Sequence, residues 1–148
     1  MTLYPLDPAA INWGGVLYAT LLSTAETNGA MSITDSLSPV NTGPPRHIHE
    51  REDEAFVLLT GTCEIWRDGE QFTRSAGETV FIPRGTEHTF RVIGTKPCRH
   101  LVILTPGGFE GFFEEMAEHQ YRIPDDMPAV EEVAARFNMR FTGPPLNA

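Results

Sequence analysis

Three histidines and one glutamate fall at spacings that bring metal-ligand side chains together. His47 and His49 stand two residues apart in Gly43-Pro-Pro-Arg-His47-Ile-His49, and on a strand that step puts both imidazoles on one face. Glu54 follows a short charged turn (Glu50, Arg51, Glu52, Asp53) and opens the apolar run Ala55 to Leu59, which ends at Thr60-Gly61. Farther on, Thr79 to Ile82 stops at Pro83-Arg84-Gly85, and His88 leads into the next extended run. Imidazole suits zinc, copper, iron and nickel, and a carboxylate adds tolerance for harder ions. The expected cofactor is one divalent transition metal ion (Fe, Mn, Ni, Co, Cu or Zn) held by His47, His49, Glu54 and His88.

Such a donor set leaves coordination positions open, the mark of a reactive rather than a closed structural site. A redox-capable ion would bring an organic substrate and dioxygen together. A redox-inert one would act as a Lewis acid or generate hydroxide. Glu54, beside the ion, is the natural acceptor of a proton from a substrate hydroxyl, so it has two candidate roles, ligand and catalytic base. Strand parity extends the site into a pocket. If Glu54 points inward, so do Phe56 and Leu58; if His88 does, so do Phe90 and Val92. His100 shares parity with Val102 and Leu104, and either lines the same pocket or sits at a strand edge. An apolar, partly aromatic lining suits a planar or hydrophobic organic ligand better than a small, highly charged one. Arg46 and Arg84 flank the ligand segments and are expected to pair with Glu50, Glu52 and Glu87. His119 is expected to face solvent.

The elements that must position these groups read as strands. Gly14 to Thr24 is rich in strand formers, Asn28-Gly29 is a hairpin signal, and Ala30 to Leu37 alternates apolar with small polar residues as a return strand. After Gly61, Cys63 to Arg67 and Gln71 to Arg74 flank a second hairpin signal, Asp68-Gly69; His88 to Ile93 and Arg99 to Thr105 follow. Strands at this regular spacing, with turn residues between them, predict an all-β sandwich or barrel over about residues 12–106. The tail, 107–148, changes period. Phe109, Phe112, Phe113, Met116 and Ala117 fit one helix face, expected to pack on the outside of the barrel. A second helix is expected to start near Asp125-Asp126-Met127-Pro128, with Val130, Val133, Ala134 and Phe137 on its apolar face. The chain should then run extended from Phe141.

A length of 148 residues with 41% hydrophobic and 21% charged composition fits one domain with an ordinary core, here 1–148. The formal net charge of -9 and the absence of a Lys/Arg cluster speak against nucleic acid and against an anionic membrane surface. No apolar run approaches the roughly 20 residues of a membrane span, and the N-terminus lacks the basic and apolar regions of a secretory signal. The expectation is a cytoplasmic protein. Cys63 and Cys98 form no C-x-x-C; buried small hydrophobes are the favoured reading and a disulfide the other.

The two ligand stretches resemble the paired motifs of the cupins, usually written G-x5-H-x-H-x3,4-E-x6-G and G-x5-P-x-G-x2-H-x3-N. This chain has His47-x-His49-x4-Glu54-x6-Gly61 and Gly77-x5-Pro83-x-Gly85-x2-His88. Gly43 stands closer to His47 than the first motif has it, and Val92 occupies the final Asn position. The resemblance implies a jelly-roll barrel (double-stranded β-helix) with a short C-terminal helical extension. The wider pattern, with HIHEREDEAF, FIPRGTEHTFRV, the TPGGFEGFFEE tail and a terminal GPPL, resembles bacterial monocupins related to quercetin dioxygenases. In that family the motif Glu deprotonates a flavonol hydroxyl, the substrate chelates the metal and dioxygen opens the ring. Carried over, the chain would be a metal-dependent dioxygenase, a quercetinase-like oxidoreductase acting on a flavonol-like or other small aromatic or enolic compound. The alternatives are a non-redox isomerase or lyase and a non-catalytic small-molecule-binding cupin. A homodimer is expected from the resemblance and from Val57 and Leu59, which point away from the pocket.

Overall fold

The computed structural model describes residues 3–146. Ten strands precede the helices: β1 (Ile11–Trp13), β2 (Val16–Leu22), β3 (Ser32–Ser38), β4 (Arg46–His49), β5 (Asp53–Thr60), β6 (Thr62–Arg67), β7 (Glu70–Ser75), β8 (Thr79–Ile82), β9 (His88–Ile93) and β10 (Cys98–Thr105). Two helices, α1 (Glu110–His119) and α2 (Met127–Arg136), lead to a last strand, β11 (Met139–Gly143). One sheet has the order β1-β2-β3-β10-β5-β8 and the other β11-β4-β9-β6-β7. Every pairing is antiparallel. The two sheets face each other as a jelly roll, the expected architecture.

Local chemistry explains most boundaries. Asp68 and Gly69 both take positive φ, which closes the tight β6-β7 hairpin. Asn28 and Gly29 also take positive φ, but within a longer loop: Leu22 pairs with Ile33, and the Gly29 N–H donates to Thr24 O. The return strand therefore begins at Ser32 rather than Ala30. Gly43 sits where a Cβ would lie 1.9 Å from Phe90 O, so only glycine lets this loop lie against β9. Hydrogen bonds from Asn41 N–H to Val92 O and from Val92 N–H to Thr42 O hold it there.

The tail differs from expectation in two ways. It does not finish as a free extended end: Met139–Gly143 pairs with β4, so the histidine strand gains a neighbour on its outer edge. The Phe stripe does not coat the outside of the barrel either. Phe109 and Phe112 are buried, and with Phe113 they cover the open end between the sheets. Trp13 donates from Nε1 to Tyr121 O at 2.7 Å and meets Phe112 edge-on, tying the first strand to the segment after α1. Barrel and tail share one apolar core, in which Leu58, Ile65 and Val92 pack in continuity with Met116 and Val130. No helix among the described residues is long and apolar enough to cross a membrane.

Candidate metal centre

β4 carries His47 and His49 inward from one sheet, and β9 begins with His88 directly opposite His47. Glu54 comes from the facing sheet, near the start of β5. All four are buried, and one ligand atom from each lies within 4.8 Å of the others. Two backbone contacts fix the rings. His47 Nδ1 lies 2.8 Å from Pro45 O and His88 Nδ1 2.9 Å from Thr86 O. A carbonyl only accepts, so each Nδ1 donates to it, and each Nε2 is the ring nitrogen turned toward the cluster and left to bind an ion. His88 Nε2 is 3.0 Å from Glu54 Oε1, and His49 Nε2 is 3.2 Å from Glu54 Oε2. Metal bonds of about 2.0–2.2 Å to nitrogen and oxygen require donor atoms a few ångströms apart, and these residues meet that condition with little movement.

The electrostatics agree with a cation site. Burial holds His47 well below the usual imidazole range, reinforced by its His88 and His49 neighbours, so it is neutral. Burial alone would raise Glu54, but the charge and hydrogen bonds of His49 and His88 outweigh it and carry the carboxyl well below its ordinary value. Burial alone would lower His49, but Glu54 and Glu52 raise it. His49 Nδ1 and Glu52 Oε2 are buried without hydrogen-bond partners among the described residues and lie 3.9 Å apart. Burial lifts Glu52, opposed by His49. Glu52 was read from sequence only as part of a short charged turn; its burial behind His49 depends on where the turn folds, which residue type does not reveal.

A cavity of about 760 Å³ opens from this cluster. His47, His49 and Glu54 line one part of it, and Phe56, Phe90 and His100 line its wall. Leu58 and Val92, expected on that wall from parity, do not reach it. They point inward but pack in the closed end of the barrel with Ile65 and Val80, at 1% and 0% exposure. Parity assigns a face, whereas depth along the barrel decides whether that face meets cavity or core. The part that sequence reasoning missed is the roof: Phe109 meets His49 edge-on with ring centroids 4.6 Å apart. Periodicity showed the stripe but not its partner.

The remaining residues sort simply. Arg84 pairs with Asp53 at 3.2 Å, not with Glu50, Glu52 or Glu87. Arg46 donates to Pro144 O and lies over the Trp66 ring, and Glu50 pairs instead with Arg140. His119 is exposed and stacks on Tyr121. Cys63 and Cys98 are buried free thiols with sulfurs 3.1 Å apart.

Two facing antiparallel sheets, with a three-histidine, one-glutamate cluster between them, define a jelly-roll protein with a possible metal site. Residues 36–104 match the Cupin_2 family, a cupin domain, and the chain belongs to the cupin superfamily. It is 27% identical over 105 residues to quercetin 2,3-dioxygenase of Bacillus subtilis, a match that covers 71% of this chain but 31% of that protein. It is 28% identical over 120 residues to the polyketide synthase CurC of Streptomyces cyaneus, covering 78% of each. Among solved structures, a predicted oxalate decarboxylase from Thermotoga maritima superposes with a TM-score of 0.58 at 26% identity, over 62% of this chain and 80% of that one.

Proposed function

We propose that the chain is a metal-dependent, dioxygenase-like enzyme acting on a flavonol-like or other small aromatic or enolic compound. The observation that carries this reading is the position of Glu54: a buried carboxylate between two imidazoles, at the end of an aromatic-walled cavity. His47, His49, His88 and Glu54 would hold the ion. A bound redox-active ion would supply the site where a chelating substrate and dioxygen meet. The chain's own residues do the rest. Glu54 takes the proton of the substrate hydroxyl on a carboxylate oxygen, and His49 and His88, one beside each of its oxygens, hold the carboxylate in place. Phe56 and Phe90 hold the ring system, and Phe109 with its neighbours keeps water from the cluster. The likeness to the Bacillus quercetin dioxygenase supports this choice. A small diacid would leave most of the cavity unfilled.

The match along most of both chains to CurC, a polyketide synthase by name, supports a second reading, oxygen-independent isomerase or lyase chemistry on a carbonyl compound. Oxygen uptake by metal-reconstituted protein with 3-hydroxyflavone separates the readings. Uptake that disappears in Glu54→Gln supports the dioxygenase. Turnover without uptake supports the second reading, and binding without turnover leaves a non-catalytic cupin. We place the protein in the cytoplasm, where the apposed thiols of Cys63 and Cys98 stay reduced. We also propose a homodimer, supported by Val57, Leu59 and the half-exposed Phe81 on the outer face of β5 and β8. A monomeric mass by light scattering would remove that element.

A further inference from the structure

β3 is turned the wrong way for a core strand. Its apolar residues Ile33 and Leu37 face outward, while Ser32, Thr34, Ser36 and Ser38 are buried on the inner side. A hydroxyl taken from water costs free energy unless something pairs with it, so a strand built this way needs polar company inside. The protein supplies little. Ser32 Oγ is buried without a partner, and the Ser36 and Ser38 hydroxyls, which line the cavity, hydrogen-bond to nothing among the described residues.

The ladder pairs extend this observation across three strands. Tyr18 on β2 pairs with Ser36, and Ser36 pairs with His100 on β10. Directly paired residues present their side chains on one face, so these three form a row, and all three line the cavity. Among the described residues His100 makes one polar contact, a long one between Nδ1 and the Cys98 sulfur at 3.9 Å. The Tyr18 phenol stacks on Phe113 and has no hydrogen-bond partner among the described residues. The row contains no carboxylate, lysine or arginine.

Its distance from the metal cluster follows from register. Leu104 pairs with Glu54, whereas His100 pairs with Leu58, four residues farther along β5. At about 3.3 Å per residue the row stands roughly 13 Å from the level of Glu54. Phe56, Phe90 and Val102 lie between, making an apolar belt with polar groups at either end.

We propose that Tyr18, Ser36 and His100 form a second polar subsite, which hydrogen-bonds an uncharged hydroxyl or carbonyl at the end of an aromatic ligand remote from its chelating pair. The cavity then selects two- or three-ring compounds that carry oxygen at both ends. This rests on the aromatic-ligand reading above and adds to it which member of the class is preferred.

The test uses the full chain loaded with zinc, a redox-inert ion that does not activate dioxygen, and compares dissociation constants for 3-hydroxyflavone with those for 3,4′-dihydroxyflavone and 3,7-dihydroxyflavone. All three share the chelating pair, and the latter two add one phenol at a far ring. At least one added phenol should tighten binding by about 2- to 10-fold, the worth of one net hydrogen bond. In His100→Phe, a swap the neighbouring Phe56 and Phe90 can pack against, that ratio should fall to about one; in His100→Gln part of it should return. Should His100→Phe not fold, the double variant Tyr18→Phe, Ser36→Ala removes only oxygens and reads the same ratio. Equal binding of all three flavones to the native chain, or a ratio unmoved by these variants, overturns the subsite and leaves the aromatic-ligand reading intact. Binding of none of them overturns both.

Discussion

Zinc should stabilise the native chain strongly and His88→Ala hardly at all. A ligand present at 100 times its dissociation constant stabilises the folded state by about 2.7 kcal/mol. For a chain of 148 residues, each kcal/mol moves Tm by about 2–4 °C, so saturating zinc should raise it by about 5–11 °C. The site is already arranged for this, because Pro45 O and Thr86 O orient two of the three imidazoles. Losing a partner that merely orients a ligand costs about 10- to 100-fold in affinity, so losing the direct donor His88 should cost more than about 100-fold. At the same zinc concentration His88→Ala would then sit near or below half-saturation, worth about 0.4 kcal/mol and a Tm rise of about 1 °C. Glu52→Gln, which removes the carboxylate behind His49, should fall between the two. His49 is held above its ordinary value without metal, so zinc must displace a proton as pH falls through that range, and the Tm rise should shrink from pH 8 to pH 6. The assay is thermal unfolding of tag-free protein with and without zinc, checked by calorimetric titration. An equal rise in native chain and His88→Ala would refute the reasoning, because the ion would then be bound elsewhere.

Three further outcomes follow from the packing. Phe109→Ala should cost about 3–5 kcal/mol in denaturant unfolding, because it empties a buried aromatic site between His49 and Phe112; a loss under 1 kcal/mol would mean that the roof is not packed as described. Gly43→Ala should cost about 3 kcal/mol or leave the chain insoluble, because its methyl would meet the Phe90 carbonyl, which belongs to β9 backbone and cannot swing aside; neutral behaviour in the same unfolding assay would contradict that contact. Glu110 accepts from the Thr24 N–H and hydroxyl, both at 2.6 Å. Burial would raise its carboxyl, but these bonds to Thr24 outweigh it and hold the group below its ordinary 4.5. A depressed folded value means that the tie stabilises above pH 4.5 and is lost as pH falls through the folded value. Glu110→Gln should therefore flatten the acid limb of a stability-pH profile, and an unchanged limb would count against the tie.

The ligand cluster was legible because its determinants are local. A two-residue step on a strand and a Pro-x-Gly turn before His88 each dictate geometry within a few residues, and strand pairing supplies the rest. Gly43 was visible only as a departure from motif spacing; its reason, the Phe90 carbonyl, lies in another strand. The tail was half legible. Its helical period was plain, but a Phe stripe has the same sequence signature whether it coats the outside of a barrel or roofs its mouth. β11 was read only as extended chain, since strand formation there depends on the free edge of β4. Arg84 found Asp53 rather than the nearer-seeming glutamates because a strand start and a turn meet in space.

β3 shows why face assignment is the deeper difficulty. Alternation says that Ile33 and Leu37 share one side and Ser32, Thr34, Ser36 and Ser38 the other, and ordinary burial logic would turn the apolar side in. The fold does the opposite because the interior beside β3 is partly a cavity, and a cavity wall need not be apolar if its occupant brings hydrogen bonds of its own. The outward Ile33 and Leu37 remain only half-buried, a sacrifice of apolar burial that a purely structural strand has no reason to make. Phe56 and Phe90 meanwhile keep the middle of the same cavity apolar. A wall that is greasy at its centre and polar at both ends is therefore best explained by the shape and chemistry of what it holds, and the flavone series measures that directly.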